Sequence, residues 1–202
     1  DFMWKSSKAD VIQGFSCFSI CKYYIANKNR EMRLDLFDNI LLYYQRGYQK
    51  NIRKELLLIE SGLYSLNGTI KYSINGKPYL EEGPALSFSD TSNDSILAIT
   101  KDYATIGVDI EVEKPSSYYP FIVQNYFRSE ERQYCIINEN SSINISRFFE
   151  IWVKKEAIIK SMGGSIYNDM LACNVFCSNY FGKLLYKKLD LSKIYHIAIC
   201  FS

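Results

Sequence analysis

The clearest pattern in the chain is an alternation of apolar and acidic residues, Ile106-Gly107-Val108-Asp109-Ile110-Glu111. A period of two predicts a short strand, with Val108 and Ile110 turned into a core and Asp109 and Glu111 side by side on the other face. Further on, Phe148, Phe149, Trp152, Ile159 and Met162 recur near helical spacing, predicting a helix over Phe148–Lys160 that stops at Gly163-Gly164. Residues 11–25 read as strand-rich. Leu34–Tyr44 reads as a helix through Leu36, Phe37, Ile40, Leu41 and Tyr44. Arg46–Glu60 reads as another, burying Ile52, Leu56, Leu57 and Ile59 and ending near Gly62.

Residues 69–74 alternate like a strand and turn at Asn75-Gly76. Ala85–Phe88 and Ile96–Thr100 predict strands on either side of a polar loop, Ser89–Asn93. Pro115 closes the acidic strand, and 116–127 is aromatic and loop-like. Ser129-Glu130-Glu131-Arg132 resembles a helix start with Ser129 as N-cap. After a polar loop at 138–144 and the long helix, residues 170–176, 183–186 and 194–201 finish as strands.

The chain has 202 residues, 48% hydrophobic and 23% charged, an ordinary globular composition long enough to bury a sizeable core. A net charge of +2 is too small to argue for nucleic acid as a partner. No apolar run approaches a membrane span, and no secretory leader is recognised around Asp1-Phe2-Met3-Trp4. Cys17/Cys21 and Cys173/Cys177 have C-x₃-C spacing without a supporting histidine cluster. Reduced thiols in a cytoplasmic protein are the expectation. The single histidine, His196, lies in a late strand and reads as structural.

The candidate chemistry lies in the two best-patterned segments. Asp109 and Glu111 share a strand face, and Glu156 and Lys160 are neighbours on one helix face. Each pair alone reads as solvated charge. Together they offer three carboxylates and a lysine, hard oxygen ligands of the kind that hold Mg²⁺ beside phosphate.

The order G-V-D-I-E, then W-x-x-K-E-A-x-x-K, resembles the paired signature of the 4′-phosphopantetheinyl transferases, and the chain length resembles the surfactin-type monomeric branch. Asn75-Gly76-Lys77-Pro78 and Leu86-Ser87-Phe88-Ser89-Asp90-Thr91 resemble the G-K-P and F-N-x-S-H-S segments of that family. The similarity covers roughly residues 70–165 well and the first 60 poorly. The resemblance implies an α+β fold of two similar, pseudo-twofold-related α/β subdomains. Residues 1–102 would form the coenzyme A side, and residues 103–202 the metal and carrier-protein side.

It further implies transfer of the 4′-phosphopantetheine arm of coenzyme A to a serine of an apo acyl or peptidyl carrier protein, releasing 3′,5′-ADP. The protein would act as a monomer with Mg²⁺, in fatty-acid or secondary-metabolite synthesis. Asp109, Glu111 and Glu156 would hold the metal. Glu156 would also take the serine proton, and Lys160 would meet a phosphate. Arg46, Lys77, Pro78, Ser89, Asp90 and Thr91 would line the coenzyme pocket, and the aromatic residues after the first motif, such as Tyr118, Tyr119, Phe121, Tyr126 and Phe127, are candidates for the carrier surface.

One departure stands out. Asp90 occupies the place of the family histidine that contacts the 3′-phosphate. A carboxylate repels phosphate unless a cation intervenes. That leaves open a displaced coenzyme, weaker affinity, or a degenerate module that binds coenzyme A or a carrier without transfer. A different Mg²⁺-dependent phosphoryl enzyme is a further alternative, although no P-loop or kinase signature supports it.

Overall fold

The computed structural model describes residues 18–24, 31–36, 40–137, 142–176, 182–190 and 193–202. In chain order the elements are β1 (Phe18–Tyr24), β2 (Glu31–Leu36), β3 (Ile40–Arg46), α1 (Lys50–Glu60), a 3₁₀ turn (Tyr64–Thr69), β4 (Lys71–Tyr72) and β5 (Pro78–Tyr79). They continue with β6 (Ala85–Asp90), β7 (Asp94–Thr100), β8 (Ile106–Val112), α2 (Tyr119–Tyr126), α3 (Ser129–Cys135) and α4 (Ile145–Met162). The short α5 (Ile166–Asp169), β9 (Gly182–Asp190) and β10 (Lys193–Phe201) complete the chain. The class is mixed α/β.

One sheet has the order β1-β9-β10-β8, and a second, wholly antiparallel, has the order β2-β3-β7-β6. β1 pairs in parallel with β9, so a strand from the beginning of the chain lies in the sheet of the last strands. The two sheets pack face to face through Ile40, Leu42, Tyr44, Ile96 and Ala98 on one side and Ile106, Val108, Ile110, Ile197 and Ile199 on the other. α1 covers the outer face of the second sheet through Leu57 and Leu58, against Tyr43, Leu97 and Ile99. α4 covers the first, burying Phe149, Val153, Ala157 and Ile158 with Ala198 and Cys200. The result is four layers, helix–sheet–sheet–helix.

β8 is at one sheet edge and β6 at the other, and the two edges meet. Ser87 Oγ accepts the Val108 N–H at 3.1 Å, and Ser89 Oγ accepts the Ile110 N–H at 3.3 Å. The serines, two apart on β6, thus satisfy the β8 amides that point away from β10 and would otherwise be orphaned at the edge. The candidate site lies on this seam.

Several expectations are corrected. Leu34–Tyr44 is a hairpin, β2 and β3, with residues 34–36 pairing against 40–42; Phe37 lies outside the described residues. β3 is buried on both faces, and a continuous apolar run does not distinguish strand from helix by period. The next helix starts at Lys50, and its inner face is Arg53, Leu57 and Leu58, while Ile52 and Ile59 are exposed.

Residues 119–126 form α2 rather than a loop. Pro120 sits in its first turn, where no N–H is needed, and Tyr119, Val123 and Phe127 recur four apart facing the core. Residues 170–176 are turns: the Val175 N–H is taken by Glu131 Oε1 at 3.0 Å and the Cys173 carbonyl by Lys155 Nζ at 2.5 Å, side-chain partners in place of a ladder. β6 runs through Asp90, which leaves only Thr91–Asn93 as the turn. At α3 the N-cap is Arg128, whose N–H goes to Glu131 Oε2 at 2.8 Å, and Ser129 is the first helical residue. The strands at 183–186 and 194–201 lie within β9 and β10.

Candidate metal and phosphate site

β8 presents Gly107, Asp109 and Glu111 to α4, opposite to its core face. The helix lies directly on the glycine: a Cβ there would stand 2.0 Å from the Ala157 carbonyl oxygen and 2.4 Å from the Ser161 amide nitrogen. Gly107 therefore sets how closely α4 approaches, and so whether Glu156 and Lys160 can reach the strand acids. The helix itself begins at Asn144, whose Oδ1 accepts the Arg147 N–H at 3.0 Å. It ends at Gly163 in the left-handed region (φ 67°), with the Gly164 N–H returning to the Ile159 carbonyl at 2.9 Å. The glycine stop read from the sequence is where the structure has it.

One carboxylate oxygen from each of Asp109, Glu111 and Glu156 lies within 4.8 Å of the others. Lys160 Nζ donates to Asp109 Oδ1 at 2.6 Å and stands 3.6 Å from Glu156 Oε2. Asp109 is 2% exposed, and its Oδ2 has no hydrogen-bond partner. With all three carboxyls ionised, one ammonium would leave two negative charges in excess in a place largely closed to water. Burial, reinforced by the Asp109 charge, pushes the Glu111 carboxyl up to about 7. The same two causes raise Glu156. Burial pulls the Lys160 ammonium down, but the charges of Asp109 and Glu156 outweigh it, and the group is held above its ordinary value.

A divalent cation fits these residues. Its charge matches the excess, and the orphaned Asp109 Oδ2 is an available ligand atom. The three carboxylate oxygens, all within 4.8 Å of one another, are close enough to be shared by one cation. The donors are all carboxylate oxygens, which suits a hard cation.

The remaining predicted residues divide into two groups. Ser89 joins the cluster: its hydroxyl donates to Asp109 Oδ1 at 2.7 Å and receives Lys160 Nζ at 3.0 Å, so its proton is directed at the carboxylate. Asp90, Thr91 and Arg46 lie along the adjoining turn. Asp90 Oδ1 accepts from Ser95 Oγ at 2.6 Å and Oδ2 pairs with Lys50 Nζ at 2.9 Å. Thr91 Oγ1 donates to Asp94 Oδ2 at 3.0 Å. The buried Asp94 also takes the Tyr44 and Tyr195 hydroxyls and has Arg46 Nε at 3.6 Å. Lys77 and Pro78 are elsewhere. Lys77 Nζ donates to the Ser161 carbonyl, and Asn75 Nδ2 to the Gly163 carbonyl at 2.9 Å, so this hairpin caps the C-terminal end of α4.

A pocket of about 440 Å³ opens between the turn and the strand end, lined by Asp90, Thr91, Ser92, Asp94, Glu111, Val112, Glu113, Lys114 and Lys193. It runs directly off the Glu111 side of the carboxylate cluster. His196 lies behind it, buried on Phe149, with Nε2 2.7 Å from Glu113 Oε1 and its pKa lowered by burial. Of the aromatic residues after the first motif, Tyr118 and Phe121 are exposed, whereas Tyr119 and Phe127 belong to the core.

Sequence reasoning missed Arg53. It is 1% exposed, and its guanidinium reaches Ser95 Oγ at 2.8 Å and the carbonyls of Tyr48 and Thr91 at 2.8 and 3.1 Å. Its position on the inner face beside Leu57 was the available signal, lost once Ile52 and Ile59 were assigned to that face.

Residues 105–200 match the family model described as the 4′-phosphopantetheinyl transferase superfamily. The chain is 32% identical over 97 residues to the 4′-phosphopantetheinyl transferase AcpT of Salmonella typhi, covering 48% of this chain and 50% of the relative. It is 30% identical over 92 residues to the 4′-phosphopantetheinyl transferase psf-1 of Bacillus pumilus, covering 46% of this chain and 38% of that protein. The chain thus matches half or less of the length of these curated relatives. The family resemblance read from the two motifs is borne out over the segment that carries β8, α4 and β10. No helix among the described residues is long and apolar enough to cross a membrane.

Proposed function

We propose that this protein transfers the 4′-phosphopantetheine arm of coenzyme A to a serine hydroxyl of an apo acyl or peptidyl carrier protein. The observation that carries the reading is the buried Asp109–Glu111–Glu156 cluster with Lys160 against it, inside the segment that matches the family model. Asp109, Glu111 and Glu156 would hold Mg²⁺, which when bound neutralises charge on the coenzyme diphosphate.

The chain's own groups then have distinct tasks. Lys160 Nζ, fixed by Asp109 and Ser89, places an ammonium where a phosphate oxygen can meet it as a point charge. Glu156 accepts the proton of the carrier serine, directly or through a water, as its oxygen forms the new P–O bond and the diphosphate P–O bond breaks to release 3′,5′-ADP. Gly107 and the serines of β6 hold helix, strand and seam in register for this.

The division at 102/103 into two related subdomains, a monomeric state and action in the cytoplasm belong to the same proposal. Two four-stranded sheets, each with a covering helix, support the first, with β1 crossing the division. The buried free thiols Cys135, Cys173 and Cys200 suit a reducing compartment. Exposed Tyr118 and Phe121 offer apolar contact for a carrier. Asp90 favours the alternative, a module that binds coenzyme A or a carrier without transfer.

One assay separates the two. Intact mass of an apo carrier incubated with this protein, coenzyme A and Mg²⁺ should rise by one phosphopantetheine, and chelation should abolish the gain. Binding of coenzyme A with no mass gain across acyl and peptidyl carriers would select the module.

A further inference from the structure

Among the described residues, the β4–β5 hairpin contributes nothing to the lining of the pocket beside Glu111. Its tip is fastened instead to the far end of α4. The tip is stiff: Gly76 is in the left-handed region (φ 79°), the Gly76 N–H returns to the Ser73 carbonyl at 2.9 Å, and Ser73 Oγ accepts the Lys77 N–H at 3.1 Å. The base is tied to the other covering helix, since Lys54 Nζ donates to the Tyr72 hydroxyl at 3.0 Å and lies 4.7 Å from the centre of the Phe88 ring. The hairpin thus spans from α1 and β6 across the seam to α4.

The last turn of α4 leaves carbonyls that the helix itself cannot satisfy, and two sources share them. Those of Ile159 and Lys160 take the Gly164 N–H at 2.9 Å and the Gly163 N–H at 3.2 Å. Those of Ser161 and Gly163 take the hairpin, through Lys77 Nζ and Asn75 Nδ2. An ammonium in that place also meets the negative end of the helix dipole. Ser161 is fixed from three directions, because its hydroxyl is 2.9 Å from Thr105 Oγ1 and its amide lies against Gly107. Lys160 is the residue before it, and its ammonium is the cation of the carboxylate cluster.

We propose that Lys77, helped by Asn75, is a positioning residue: it fixes the last turn of α4 and so holds the Lys160 ammonium where a phosphate of the nucleotide ligand meets it. The inference rests on the coenzyme A reading and deepens it. It replaces a direct contact between Lys77 and the coenzyme with an action through Lys160. Lys77 holds Ser161, the residue that lies on Gly107, whereas the pocket opens at Glu111, about 13 Å further along β8.

Calorimetric binding of coenzyme A to the full chain, with Mg²⁺ present, tests this in the wild type, Lys77→Met, Lys160→Gln and the double variant, with melting temperature measured alongside. Lys77→Met should weaken coenzyme A about tenfold, through the displaced phosphate contact of Lys160. In the Lys160→Gln background it should weaken binding no further, while the fall in melting temperature from the lost cap should be the same in both backgrounds. Lys77→Arg, which can still donate to the Ser161 carbonyl, should keep most of the affinity. Asn75→Ala should show the Lys77→Met pattern at smaller size. Losses that add in the double variant would mean that Lys77 touches the coenzyme itself, and unchanged binding in Lys77→Met would mean a merely structural cap. Either result overturns the assignment and leaves the coenzyme reading intact. The expected pattern without transfer to any carrier overturns the transferase reading alone, and a wild type that binds no coenzyme A overturns both.

Discussion

Lys155 and Glu156 are adjacent on α4, both are buried, and they belong to opposite kinds of charge assembly. Lys155 Nζ lies 2.7 Å from Glu131 Oε2, both side chains are 0% exposed, and the surplus bonding capacity goes to the Cys173 carbonyl and the Val175 and Arg128 amides. One cation meets one anion, and each has hydrogen-bonding partners. Glu156 is in a cluster where three carboxylates share a single ammonium and one buried oxygen has no partner. The first assembly is complete as it stands and pins the 170–176 turns to α3 and α4. The second is complete only with something added. Balance marks structure, and deficit marks a site.

Breaking the balanced pair should have the largest effect. Lys155→Met should cost about 3–5 kcal/mol in denaturant unfolding, because Glu131 is left charged and buried without its partner. Lys155→Met with Glu131→Leu should recover only part of that, because the buried charge is gone but the Val175 and Arg128 amides lose their acceptor. A stable single variant would mean the pair is not the anchor described.

Glu156→Gln should behave in the opposite way. Transfer should fall by about two orders of magnitude, roughly 3 kcal/mol of barrier, while thermal stability holds or rises as repulsion with Asp109 and Glu111 is relieved. If Glu156→Gln unfolds the protein as Lys155→Met does, the contrast between the two assemblies fails.

Gly107→Ala should cost about 1–3 kcal/mol and depress transfer with it, since the methyl group must push α4 off the strand. Transfer that survives with full stability would show that the close approach is not what aligns Glu156.

The smallest effect is in pH. Burial and the neighbouring Asp109 charge push the Glu111 carboxyl from its ordinary 4.5 up to about 7, so the folded state holds its proton more tightly than the unfolded chain. Its contribution is fully present below about 4.5 and is lost as pH rises through 7. The metal-free melting temperature should therefore decline across that interval, by degrees rather than tens of degrees, and added Mg²⁺ should restore it most at the alkaline end. A metal-free melting temperature that rises over the same range would place the excess charge elsewhere.

The cluster was legible in the sequence because each half of it obeys a period: Asp109 and Glu111 two apart on a strand, Glu156 and Lys160 four apart on a helix. What the period could not show was distance, and distance depends on Gly107. β3 was misread because Ile40 through Tyr44 is buried on both faces, which removes alternation. α2 was missed because its first-turn proline and aromatic run resemble a loop until Tyr119, Val123 and Phe127 are seen on one side. Arg53 was missed because nothing local to a sequence tells a solvated cation from one whose partners lie dozens of residues away. The role of Ser89 shifted for the same reason: its nearest demand is Asp109, on another sheet.

The most direct test of the account is calorimetric titration of Mg²⁺ into the metal-free protein at neutral pH, repeated in buffers of different ionisation heat. One cation should bind per chain with release of protons from Glu111 and Glu156, and Glu156→Gln should weaken it at least tenfold. No saturable binding, or binding that Glu156→Gln leaves unchanged and that releases no protons, would contradict the claim that this cluster is a cation site.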